Sequence, residues 1–77
     1  MTNTPVLEQY IENSGYKRNF IAKQLGITSY TLAMKIQNVS EFKASEIDIL
    51  CSLLGIDIKE RMQIFFAKSV ELNSTTI

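Results

Sequence analysis

With 77 residues, of which 45% are hydrophobic and 21% charged, the chain has the size of one domain and the balance of a globular rather than a disordered protein. A single cysteine, Cys51, rules out an internal disulfide, and with no histidine at all the chain lacks both the ligand set of a zinc site and the base of a nucleophilic triad. Formal net charge is zero, which argues against a sequence-independent coat for nucleic acid.

In chain order, Thr4 is suited to cap a first helix with Pro5 in its first position, where the missing N–H costs nothing; Val6, Leu7, Tyr10 and Ile11 then recur at helical spacing as far as about Ser14, and Gly15 ends the run. From about Lys17 to Leu25, Ile21, Ala22 and Leu25 share one face of a second helix, with Phe20 beside them and Gly26 as its stop. Thr28 caps a third helix of about nine residues, in which Leu32 and Ile36 face inward and Asn38 is a left-handed stop. Ala44 to Leu54 spreads Ile47, Ile49, Leu50, Leu53 and Leu54 over a broad apolar face that Gly55 closes. Asp57 and Glu60 make a capping-box-like start to a fifth helix bearing Ile58, Met62, Phe65 and Phe66. A polar tail follows from about Asn73, expected to fray. The period is helical throughout, so the expected class is all-α, a single domain over residues 1–77 with its core in about 5–66.

Charge is unevenly spread. Residues 16–43 carry Lys17, Arg18, Lys23, Lys35 and Lys43 against Glu41 alone, a net +4, while residues 1–15 and 44–77 each carry −2. A basic island in an acidic frame is what a localised phosphate-facing surface requires. No glycine-rich phosphate loop or short-range carboxylate pair is present, so neither an enzyme nor a cofactor is expected. There is no leader-like start and no apolar run of membrane-spanning length, which points to the cytoplasm and away from a membrane.

Two residues carry the packing signature of a helix-turn-helix. Ala22 is small where the second helix crosses its neighbour closely, and Gly26, four residues on, stands where the chain reverses with positive φ; Leu25, Ile27, Leu32 and Ile36 clamp the two helices. The segment Arg18 to Gln37, RNFIAKQLGITSYTLAMKIQ, resembles the Cro and repressor class of helix-turn-helix domains, the XRE family, above all in Ala22-Lys23-Gln24-Leu25-Gly26-Ile27-Thr28. The likeness continues through Thr31-Leu32, Lys35-Ile36, Asn38, Phe42, Glu46-Ile47, Leu53-Leu54-Gly55-Ile56 and Phe65-Phe66, a pattern similar to small regulators encoded by phages and prophages of Gram-positive bacteria. It implies a compact five-helix, lambda-repressor-like domain with the helix-turn-helix in helices two and three, and transcriptional control through a double-stranded DNA operator.

The sequence departs from the family pattern at two places. Lys43 stands where relatives commonly have a serine or threonine cap, so the fourth helix is expected to be less well capped or shifted. The recognition helix holds Ser29, Tyr30, Ala33 and Met34 where relatives often carry long donors, leaving Gln37 as its one long amide; bidentate arginine to guanine is not available from it.

The resemblance assigns Lys17 and Arg18, and with them Thr28, Lys35 and Lys43, to backbone phosphate. Ser29, Tyr30, Ala33, Met34 and Gln37 become the face that meets either bases or a protein. Tyr16, Phe20, Phe42 and Phe65 read as core rather than as a base-stacking platform, and Cys51 as a small buried residue. Because one helix cannot point adjacent Phe65 and Phe66 into one small core, the pair is expected to mark self-association, as a homodimer. Two functions follow: a dimeric Cro-like regulator on a near-palindromic operator, or an antirepressor that docks on a partner repressor through its helix-turn-helix face.

Overall fold

Backbone groups left over at helix ends need partners, and the way this chain supplies them fixes where each element starts and stops. The computed structural model describes residues 1–66 and contains, among them, five helices and no strand: α1 (Thr4–Ser14), α2 (Arg18–Leu25), α3 (Ser29–Ile36), α4 (Ala44–Leu54) and α5 (Ile58–Phe65). The polar tail expected from about Asn73 lies outside the described residues.

Gly26 ends α2 at φ +74°, and the next N–H, of Ile27, reaches back to the Ala22 carbonyl at 3.0 Å. A Cβ built on Gly26 would meet nothing within 4 Å. Glycine is therefore needed there for its backbone freedom and not for space. Thr28 then caps α3, its hydroxyl accepting from the Thr31 N–H at 3.1 Å. Asn38 follows α3 at φ +67° and Asp57 caps α5 through the Glu60 N–H at 2.8 Å.

One cap differs from expectation. Asn3, not Thr4, precedes α1, and the Thr4 hydroxyl donates instead to the Ile36 carbonyl at 2.5 Å. Helix α4 does start at Ala44 despite Lys43, because Glu46 in its first turn accepts from the Lys43 N–H at 2.8 Å and supplies the carboxylate half of a capping box.

The core is built by Leu7 and Ile11 of α1, Ile21, Ala22 and Leu25 of α2, Leu32 and Ile36 of α3, Ile47, Leu50 and Cys51 of α4, and Ile64 and Phe65 of α5, with Phe42 and Ile56 from the connectors. Helix α1 lies against α3, α4 and α5, while α2 packs on α3 and α4. Phe65 meets Phe42 edge to face with ring centres 5.6 Å apart. The Tyr10 phenol is pushed up to about 12 chiefly by hydrogen bonding to the Glu60 side chain, with desolvation and the nearby carboxylate charges adding to it.

Three expectations about the core are corrected. Tyr16 and Phe20 are exposed at 42% and 41%, stacked on each other at 5.0 Å rather than packed inside. Ile49 lies on the open side of α4. In α5 the inward residues are Ile64 and Phe65; Ile58, Met62 and Phe66, four apart, form a solvent-facing stripe.

Candidate nucleic-acid interface

Helix α3 is joined to α2 by the three-residue turn Gly26-Ile27-Thr28 and is held from behind by Leu32 and Ile36, both buried. Its outer surface consists of Ser29 and Tyr30, the latter 73% exposed, with Ala33 and Met34 half-buried and Gln37 open just past its end. Ser29 hydrogen-bonds to Asn19 of α2, a link between the two helices that helical periodicity does not reveal because both partners lie on polar faces. Thr28 is exposed and occupied twice, by the Thr31 N–H and by the Thr31 hydroxyl at 2.9 Å.

The basic island is smaller than its composition suggests. Lys35, expected on the phosphate-facing surface, is buried at 6% exposure with its ammonium 2.5 Å from the equally buried Glu46 carboxylate. Leu32, Lys35 and Ile36 fall within four positions on α3, so the side that carries the core carries Lys35 too. An ammonium held there cannot reach phosphate. Burial pushes the Glu46 carboxyl up, but its hydrogen bonds to Lys35 and to the Lys43 N–H, with both lysine charges, outweigh that and hold it below its ordinary value.

Arg18 is on the surface, and its guanidinium is engaged by Glu8 of α1 at 2.6 Å. Lys17 opens α2, Lys23 lies near its end and Lys43 precedes α4; all three are exposed and outside any ion pair among the described residues. The first turn of α2, beside Lys17 and Arg18, carries no acid and no side-chain cap.

The pair expected to mark self-association is divided: Phe65 is 4% exposed and belongs to the core, while Phe66 is 37% exposed and continues the stripe of Ile58 and Met62. Burial raises the Cys51 thiol, leaving it protonated and inert. Among the described residues no cluster of His, Cys, Asp or Glu is placed to hold a metal, and no helix is long and apolar enough to cross a membrane. Comparison with family models, with curated proteins and with solved structures finds no match to this chain.

Proposed function

We propose that the chain is a sequence-specific DNA-binding transcriptional regulator of the phage Cro and repressor type, in which α2 and α3 form a lambda-repressor-like helix-turn-helix and α3 enters the major groove of an operator. The observation that supports this reading most is the build of α3: capped by Thr28, set off from α2 by the left-handed Gly26, clamped through Leu32 and Ile36, and open on its far side at Ser29, Tyr30 and Gln37. Lys17 and Lys23, with the uncapped N-terminus of α2, supply the backbone grip, and Arg18 joins them when it leaves Glu8. Sequence preference comes from Tyr30 and Gln37 together with the shape of the DNA. Two copies on a near-palindromic site meet through the stripe ending at Phe66, and the protein works in the cytoplasm without a cofactor. A gel shift on the DNA upstream of its own coding region tests this: a discrete complex that survives excess unrelated DNA is expected, and no complex at micromolar protein rejects it.

A second reading has its own observation. With Lys35 sequestered, α3 presents no exposed charge, and charge-poor surfaces bearing Tyr and Met are characteristic of the centre of protein interfaces. On that reading the face of Tyr30, Ala33 and Met34 docks on a partner repressor and blocks it. Titration against a repressor encoded beside it separates the two: displacement of that repressor from DNA by a chain that does not itself shift DNA favours the second.

A further inference from the structure

Residues 2–4, two ahead of α1 and the first of it, make a set of contacts that neither the core nor the candidate interface accounts for. The Thr2 N–H donates to Asn38 Oδ1 at 2.8 Å, and Asn38 Nδ2 donates back to the Thr2 carbonyl at 2.9 Å, a reciprocal pair between positions 36 residues apart. Next along, the Asn3 N–H donates to the Ile64 carbonyl at 2.5 Å, and the Thr4 hydroxyl donates to the Ile36 carbonyl at 2.5 Å. Ile36 is the last residue of α3 and Ile64 the last but one of α5. Carbonyls in a final turn have no partner within their own helix, so the Asn3 N–H and the Thr4 hydroxyl, adjacent in the chain, satisfy the ends of two helices at once.

The choice of residue at position 38 points the same way. Four helices in the described chain run into a left-handed residue, and at three of them it is glycine: Gly15, Gly26 and Gly55. At the fourth, φ is +67° and the residue is asparagine. A side chain in that region costs more than glycine would, and here the side chain is the part that grips Thr2.

We infer that residues 2–4 form a strap coupling the C-terminal ends of α3 and α5, with Asn38 as the positioning residue that fastens it. Anything seated against the end of α5, beside the exposed Phe66, then bears on the end of α3 at Gln37, and the influence runs equally in the other direction because coupling between two sites is reciprocal. The strap operates whatever α3 binds, so it stands apart from the assignment of DNA or protein as partner.

Amide hydrogen exchange followed by NMR on the full chain tests it. Asn38→Gly keeps the left-handed backbone and removes the grip, while Asn38→Asp keeps an acceptor for the Thr2 N–H and loses the donor. In Asn38→Gly, exchange is expected to rise about tenfold at Asn3 and at Phe66, whose N–H bonds the Met62 carbonyl at 3.0 Å, and to stay within about twofold at Ile27 in the α2–α3 turn. Asn38→Asp should fall between Asn38→Gly and the unaltered chain. Conversely, Phe66→Ala should speed exchange at Val39, which bonds the Met34 carbonyl at 2.9 Å beyond α3. Faster exchange confined to Thr2 overturns the coupling. So does equal acceleration at Ile27, which reports lost global stability, or an unchanged Val39 in Phe66→Ala.

Discussion

Lys35 and Glu46 form an ion pair 2.5 Å long whose two side chains are both more than nine-tenths buried, tying the inner side of α3 to the first turn of α4. Glu46 also accepts from the Lys43 N–H, so one carboxylate sets the start of α4 and its register against α3. Removing either charge strands the other away from water, and a stranded buried charge costs more than the pair contributes. Lys35→Met is expected to lower the unfolding free energy by about 3–5 kcal/mol, read from urea melts. Adding Glu46→Gln, which keeps an oxygen for Lys43, should recover part of that. A loss under about 1 kcal/mol, the range of exposed pairs, would show that water reaches Lys35.

The same carboxylate gives the fold a dependence on acid. Its folded value lies below the ordinary 4.5, so the unfolded chain binds the proton more readily. The associated stability is complete above the ordinary value and is lost as pH falls through the lower, folded one. Tyr10 works in the opposite sense: raised from 10.0 to about 12, it contributes below pH 10 and loses that contribution as pH climbs toward 12. Thermal melts across pH should show Glu46→Gln flattening the acid limb and Tyr10→Phe the alkaline limb. Unaltered limbs in these variants would remove both assignments.

If Lys17 grips phosphate, Lys17→Ala flattens the slope of log affinity against log salt by about 0.9 on every DNA sequence alike. Arg18→Ala should do less, because Glu8 holds the guanidinium in the free protein. Glu8→Gln should then tighten DNA binding at low salt by releasing Arg18. Weaker binding by Glu8→Gln would mean that the pair serves the fold and not the grip.

Tyr30 and Gln37 make no side-chain hydrogen bond among the described residues. Their replacement by alanine should leave the melting curve nearly unchanged, within about 0.5 kcal/mol, while altering which operator bases are preferred. A selection from randomised DNA reads the preference, and identical preferred sites for the variants and the unaltered chain would exclude base contact by this face. The double variant Tyr30→Ala, Met34→Ala measures the partner-repressor alternative, and equal affinity for the repressor would exclude docking there.

Phe65 and Phe66 should behave as opposites. Phe65→Ala opens the core at its contact with Phe42 and is expected to cost about 3–5 kcal/mol. Phe66→Ala should cost little stability and weaken self-association, which sedimentation at increasing concentration records. A chain that is strictly monomeric at high concentration, with and without DNA, would remove the dimer.

The helices and their stops were legible in the sequence because caps are local: Gly15, Gly26, Gly55, Asn38, Thr28 and Asp57 each act within a few residues of where they stand. Orientation about the helix axis was less so. In α5, Phe65 lies in the core as its sequence reading expects, but Ile64, which that reading did not single out, is the residue beside it, while Ile58 and Met62 face solvent. At the candidate site, charge misled for a related reason. A lysine counts as a surface cation in any tally, and only the fold brings Glu46, eleven residues on, against Lys35. The partnership of Glu8 with Arg18 and the strap from Thr2 to Asn38 are likewise products of tertiary placement.

The division of labour in α3 bears on which of its positions are free to vary over generations. What fixes the helix in place lies behind it or at its two ends: Leu32, Ile36, the Lys35–Glu46 pair, the Thr28 cap and the strap at Ile36 and Asn38. Tyr30 and Gln37, facing outward, hold nothing. If α3 is the recognition element proposed above, those two positions can be rewritten without passing through an unfolded intermediate, and descendants can diverge in address while sharing one scaffold.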